Sequence, residues 1–112
     1  MESTRQNKIS RLIQKDLADI FQKESRELFH GKLISVTQVR VTSDLSIARA
    51  YLSIFPSEKA DELLKEIKHY TPKIRYELGK KTGKQLRVIP SLEFYLDDSL
   101  DYIENIDRLL NQ

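Results

Sequence analysis

Residues 73–99 read KIRYELGKKTGKQLRVIPSLEFYLDDS. The stretch predicts a short helix, a glycine-flanked basic loop and an alternating strand, in that order. Ile74, Tyr76 and Leu78 belong to the helix, which is expected to stop near Gly79. The loop is expected over Lys80–Gln85, with Gly79 and Gly83 letting backbone N–H groups approach an anion. The strand is expected over about residues 85–96, where Leu86, Val88, Pro90, Leu92, Phe94 and Leu96 alternate onto one face. Pro90 has no N–H to donate to a ladder, so it implies an edge strand or a bulge.

Upstream, Ala60, Leu63, Leu64 and Ile67 keep helical spacing through about residue 69. Pro72 should end or kink that helix, and Thr71-Pro72 is a good N-cap and first-turn pair for the next one. Before these helices, residues 33–42 and 47–55 are rich in β-branched side chains. The apolar alternation of the first shifts phase near Thr37, which a bulge would explain. In the second, Ala48, Ala50, Leu52 and Ile54 share one face, and Ile47, Arg49, Tyr51, Ser53 and Phe55 the other. The small alanines favour burial of their own face. The turn Ser43-Asp44-Leu45-Ser46 is short, so the two strands should pair as an antiparallel hairpin.

The chain opens with a long amphipathic helix over about residues 4–29, with Ser3 and Gln6 spaced as a capping box. Ile9, Leu12, Ile13, Leu17, Ile20, Phe21, Leu28 and Phe29 form its apolar face, and Gly31 is a stop signal. After the last strand, Asp98 or Ser99 is expected to cap a final helix carrying Leu100, Ile103, Ile106, Leu109 and Leu110. The order is helix, strand, strand, helix, helix, strand, then a short terminal helix. It points to an α+β sandwich with helices on one face of a three-stranded sheet.

With 112 residues the chain is one domain, 1–112, able to bury roughly two thirds of its unfolded surface. It has no cysteine, which rules out disulfides and thiolate metal sites. No apolar run nears the ~18–20 residues that span a bilayer, and MESTRQNKIS has no apolar signal region. A soluble, cytoplasmic protein is expected. The net charge is +2, yet residues 73–88 hold six cations against Glu77 alone, and residues 89–112 hold six acids against Arg108 alone. A local cationic surface of this kind attracts polyanions.

Catalytic signals are weak. A phosphate-binding loop of the Gly-x-x-x-x-Gly-Lys-Ser/Thr type fails at Leu78 and Gln85. His30 and His69 lie at helix ends, where histidine often caps, with no triad or metal spacing. Asp97-Asp98 and Asp101 suit a helix start better than a catalytic dyad. No enzyme activity, cofactor or metal is expected. On the first helix Arg5, Lys8, Arg11 and Lys15 could track a phosphate backbone, or form a solvated face with pairs such as Lys15–Asp19. Tyr51 could stack on a base or cover the sheet.

The order of elements and their residues resemble the ribosome-binding factor A family, over most of the chain. The resemblance is carried by Arg5 and Lys8-Ile9, by the hairpin Val39–Leu45 with Ala48–Ser53, and by Ile74-Arg75 with Leu78–Lys80. It is strongest in Leu86–Phe94 followed by Asp97-Asp98-Ser99. It implies a type II KH-like fold, α-β-β-α-α-β, acting as a monomer. It further implies a non-catalytic RNA-binding factor of the small ribosomal subunit. Such a factor assists maturation and processing of its rRNA near the neck and the terminal helices. The family's kinked helix pair corresponds here to Tyr70-Thr71-Pro72, and the lengthened link Lys80–Gln85 shifts the expected contacts toward Gly79–Lys84. The expected phosphate contacts are Lys73, Arg75, Lys80, Lys81, Lys84 and Arg87, with Arg5, Lys8 and Arg11 secondary. If ~6 phosphates are neutralised, affinity falls ~10³-fold between about 50 and 200 mM salt. The alternative is a protein-interaction module that docks a basic partner on its acidic C-terminal helix.

Overall fold

A computed structural model describes residues 3–97. Six elements follow the expected order: α1 (Thr4–Leu28), β1 (Leu33–Val41), β2 (Ile47–Phe55), α2 (Ala60–His69), α3 (Thr71–Thr82) and β3 (Ser91–Leu96). The final helix expected after Asp98 lies outside the described residues, and so does the acidic docking surface of the alternative reading.

The capping box forms in full. Ser3 Oγ accepts from the Gln6 N–H at 3.1 Å, and Gln6 Oε1 accepts from the Ser3 N–H at 2.9 Å. Two orphan donors at the start of α1 are thereby satisfied. At the other end His30 and Gly31 both take positive φ, and the Gly31 N–H donates to the Ser25 carbonyl at 2.8 Å. Glycine adopts that conformation without a Cβ penalty.

The sheet has the order β1-β2-β3, with β2 central, antiparallel to β1 and parallel to β3. The phase shift in β1 is a bulge: the pairing steps from Val36↔Leu52 to Gln38↔Tyr51 and leaves Thr37 over. The extra residue lets Ile34 and Val36 face the core before it, and Val39 and Val41 after it. Gln14 Nε2 donates to the carbonyls of Val36 and Thr37, and Gln6 Nε2 to that of Val41 at 3.0 Å, so α1 covers part of the β1 backbone.

All buried strand residues lie on one face, and α1, α2 and α3 cover it. Ala48 and Ala50 are fully buried in the middle of β2. Their small side chains leave room for the larger ones around them. Phe21 meets Phe29 and Phe94, each at 5.8 Å between ring centres, in tilted and edge-on geometries that aromatic quadrupoles favour.

Three boundaries depart from the sequence reading. Thr71 is the first residue of α3 rather than its N-cap; Tyr70 is the single residue between α2 and α3, and the Thr71 hydroxyl donates back to the Ile67 carbonyl. Pro72 sits in the first turn of α3, where a missing N–H costs nothing. Second, α3 does not stop at Gly79 but continues to Thr82. Gly79 keeps a helical backbone, and an added Cβ there would lie 3.7 Å from Ile89, an ordinary contact. Third, β3 begins at Ser91 rather than near residue 85. Residues 86–90 are irregular, and Val88 is exposed instead of sharing the core face with Leu92 and Phe94. Pro90 stands just ahead of an edge strand, as its missing donor requires.

Candidate nucleic-acid interface

The longer α3 changes what its cations can do. Lys80 and Lys81 lie on the helix and not in a loop, and the Gly83 N–H already donates to the Gly79 carbonyl at 2.9 Å. The expected glycine-flanked loop is thus the last turn of a helix followed by Gly83–Gln85. Most cations of α3 have partners within the protein. Lys81 donates to Asp19 of α1, which also pairs with Lys23 at 3.3 Å. Asp19 therefore does not make the expected pair with Lys15. The two ammonium groups, Lys81 first, hold the Asp19 carboxyl below its ordinary pKa, and Asp19 raises that of Lys81. Lys73 lies 3.8 Å from Glu24, and Lys80 lies 3.8 Å from Glu77 and over the ring of Tyr76.

Arg75 is engaged with backbone. Its Nε donates to the Pro90 carbonyl at 3.1 Å and its Nη2 to the Ile89 carbonyl at 2.6 Å. It thereby fastens the irregular segment 86–90 to α3, where no sheet ladder holds it. His30 pairs with Glu66 of α2 at 3.1 Å, which accounts for one of the two histidines structurally.

Arg5, Lys8, Arg11, Lys84 and Arg87 make no ion pair among the described residues. Three of them meet at one groove of about 950 Å³. Arg5 and Lys8 reach it from the start of α1, and Arg87 from the segment before β3. The third wall is the β1–β2 turn. Asp44 organises that turn by accepting from the Thr42 hydroxyl (2.8 Å), the Ser46 hydroxyl (2.7 Å) and the Ser46 N–H (3.1 Å). These bonds, that from the Ser46 hydroxyl foremost, hold its carboxyl below the usual range. Leu45 takes a positive φ in the turn and lines the groove. The Ser91 N–H donates to the Ser46 carbonyl at 2.9 Å, joining two of the walls. Ile9, Leu12, Leu86, Val88 and Pro90 form an apolar stretch of the lining, with Thr4 and Gln85 beside it. Lys84 and Arg11 lie outside this lining. A shallower cleft of about 430 Å³ runs between α3 and Ile89, lined by Pro72, Arg75, Tyr76, Gly79 and Lys80.

The sheet face opposite the helices, among the described residues, carries a second polar surface. Tyr51 and Tyr95 stack at 5.5 Å, and Glu93 accepts from Arg49 (3.2 Å) and the Tyr95 hydroxyl (2.8 Å). Those bonds, from Tyr95 first, lower the Glu93 pKa. Tyr51 is thus already stacked within the sheet.

Sequence reasoning missed Leu45 and the outward turn of Val88. The available signal for Val88 was Pro90, which excludes a regular ladder just where the alternation seemed to continue. Among the described residues no cluster of potential ligands could hold a metal ion, and no helix is long and apolar enough to cross a membrane.

Residues 5–110 match the family model for ribosome-binding factor A. Ribosome-binding factor A of Cytophaga hutchinsonii is 51% identical over 112 residues, covering 100% of this chain and 84% of that protein. The Flavobacterium johnsoniae protein of the same name is 55% identical over 111 residues, covering 98% and 85%. Among solved structures, crystalline ribosome-binding factor A from Thermus thermophilus superposes with a TM-score of 0.67 at 24% identity, covering 81% of this chain and 94% of that one. A homology model of the Thermus thermophilus factor, fitted into a cryo-EM map of its 30S complex, gives a TM-score of 0.61 at 25% identity, covering 80% and 91%.

Proposed function

The chain belongs to the ribosome-binding factor A family, and from that premise we propose that it binds the small ribosomal subunit through rRNA in the cytoplasm. It assists maturation and processing of that RNA without catalysing a reaction of its own. The observation that carries the reading is the convergence of Arg5 and Lys8 of α1 with Arg87, far from them in sequence, on one groove where no carboxylate pairs with them among the described residues. The similarity to a factor fitted into a 30S complex supports the same partner.

Within the nine expected phosphate contacts, Arg5, Lys8 and Arg87 rank first, and Arg11 and Lys84 second. Lys73, Lys80 and Lys81 must share their charge with Glu24, Glu77 and Asp19. Arg75 acts chiefly by holding the Arg87 segment. Recognition is then mainly of phosphate position and RNA shape.

The test is co-sedimentation with purified small subunits across a salt series. Reversing Arg5, Lys8 and Arg87 to Glu should release the protein at moderate salt, with its circular dichroism spectrum unchanged. Undiminished co-sedimentation of that folded variant overturns the site.

A further inference from the structure

The groove at the start of α1 has a surface that phosphate binding alone does not explain. Leu12, Leu45 and Leu86 are half-buried along it. Val88 is 74% exposed, more than Leu33, Phe55 or Tyr76. Single exposed hydrophobic residues are ordinary on proteins. Val88 differs because it continues an apolar wall inside a concavity whose rim is cationic.

A duplex would present sugar, phosphate and minor-groove base edges to such a groove while its base faces stay stacked, leaving the apolar wall against polar atoms. An unpaired strand presents both kinds of surface. Its phosphates suit Arg5, Lys8 and Arg87, and its base faces suit the leucines and Val88. The guanidinium planes of the two arginines are further stacking surfaces. The volume of about 950 Å³ is that of a large small-molecule site, which fits a splayed base with its sugar. On the hairpin side, Asp44 and Ser46 offer oxygen acceptors to base amino groups. A carboxylate-rich peptide would meet repulsion from Asp44 at the same place.

Resting on the RNA-binding reading above, we infer that this groove takes an unpaired RNA segment, with a base against Leu12, Leu45 and Val88 and its flanking phosphates on Arg5, Lys8 and Arg87. The site is separate from the shallower cleft beside α3.

The experiment measures fluorescence anisotropy of the full chain with a short mixed-sequence single-stranded RNA, and with the same strand annealed to its complement. The single strand should bind about tenfold tighter or better. Val88→Ser, at an exposed position, should weaken single-strand binding by about threefold to tenfold and leave duplex binding unchanged. Neutralising Arg5, Lys8 and Arg87 to Gln should lower the single-strand salt slope by about two. Equal affinity for the two RNA forms overturns the inference. So does a Val88→Ser effect shared by both, or displacement of the RNA by a peptide of alternating Glu and Leu at similar concentration. If any of these occurs while co-sedimentation still depends on the three cations, the groove inference falls and the RNA-binding reading stands. If neither RNA binds and co-sedimentation persists in the neutralised variant, both fall.

Discussion

The outer surface of α3 and the groove at the start of α1 are both rich in cations, and they use them differently. Lys73, Lys80 and Lys81 face carboxylates on α1 or on α3 itself, so much of their charge is neutralised before any ligand arrives. Arg5 and Lys8 of α1 and Arg87 of the segment before β3 converge with no such partner among the described residues. The α3 part of the basic run, Lys73–Lys81, is therefore not the surface with the most available charge, and Arg87 of the same run contributes to the groove instead. Charge density along a chain reports composition; available charge depends on which acids folding brings alongside.

The largest expected effect separates the two regions directly. Neutralising Arg5, Lys8 and Arg87 together should cut small-subunit affinity by about tenfold or more at physiological salt. Neutralising Lys73, Lys80 and Lys81 should cost clearly less in the same co-sedimentation series. A reversed ranking would return the interface to α3.

Arg75 connects the regions, since it lies on α3 and holds the segment bearing Arg87. Arg75→Ala removes two charge-assisted bonds to backbone and should lower stability by about 1–3 kcal/mol in urea unfolding. It should also weaken RNA binding, and Arg75→Lys should restore little of either, because an ammonium cannot reproduce the forked geometry. Gly83→Ala tests the end of α3: its Cβ would lie 2.5 Å from the Gly79 carbonyl oxygen. A loss of about 1–3 kcal/mol is expected, read by the same unfolding curve.

The smallest effect concerns Asp19. Its folded pKa lies below the ordinary value, so it stabilises the fold above about pH 4, and that contribution is lost as pH falls through the depressed pKa. Asp19→Asn should flatten the acid limb of the stability–pH profile: stability falls slightly at neutral pH, where the charged pairs are present, and is nearly unchanged below the depressed pKa. Because it also frees Lys81, RNA affinity should rise by at most about threefold. A fall in affinity would mean that the pair orders the interface instead of competing with it.

Most of the architecture was legible because its signals were redundant. Alternation, β-branching and a short polar turn all marked the hairpin, and the doubled phase at Thr37 marked its bulge. The boundaries that slipped lie where one local signal was read alone. Gly79 reads locally as a helix stop, but its backbone stays helical and α3 runs on to Thr82. Leu86 and Val88 alternated like a strand, yet Arg75 takes the nearby carbonyls and Pro90 can donate nothing. For the interface, the residue types were visible while their availability was not. The partners of Lys73 and Lys81 lie about fifty to sixty residues earlier in the chain, on α1, and no local pattern encodes such pairs.

The parallel attachment of β3 has a consequence for motion. Among the described residues β2 is bonded along both edges, whereas β3 is bonded only to β2. Amide protons of β2 should therefore exchange slowest, and β3 should open as a smaller unit at lower free-energy cost. One wall of the groove leads directly into β3 at Pro90 and Ser91, so opening that strand loosens the wall. By linkage, a ligand seated in the groove should slow exchange along Ser91–Leu96 more than anywhere in β2. An edge strand of the sheet would then serve as the reporter of occupancy.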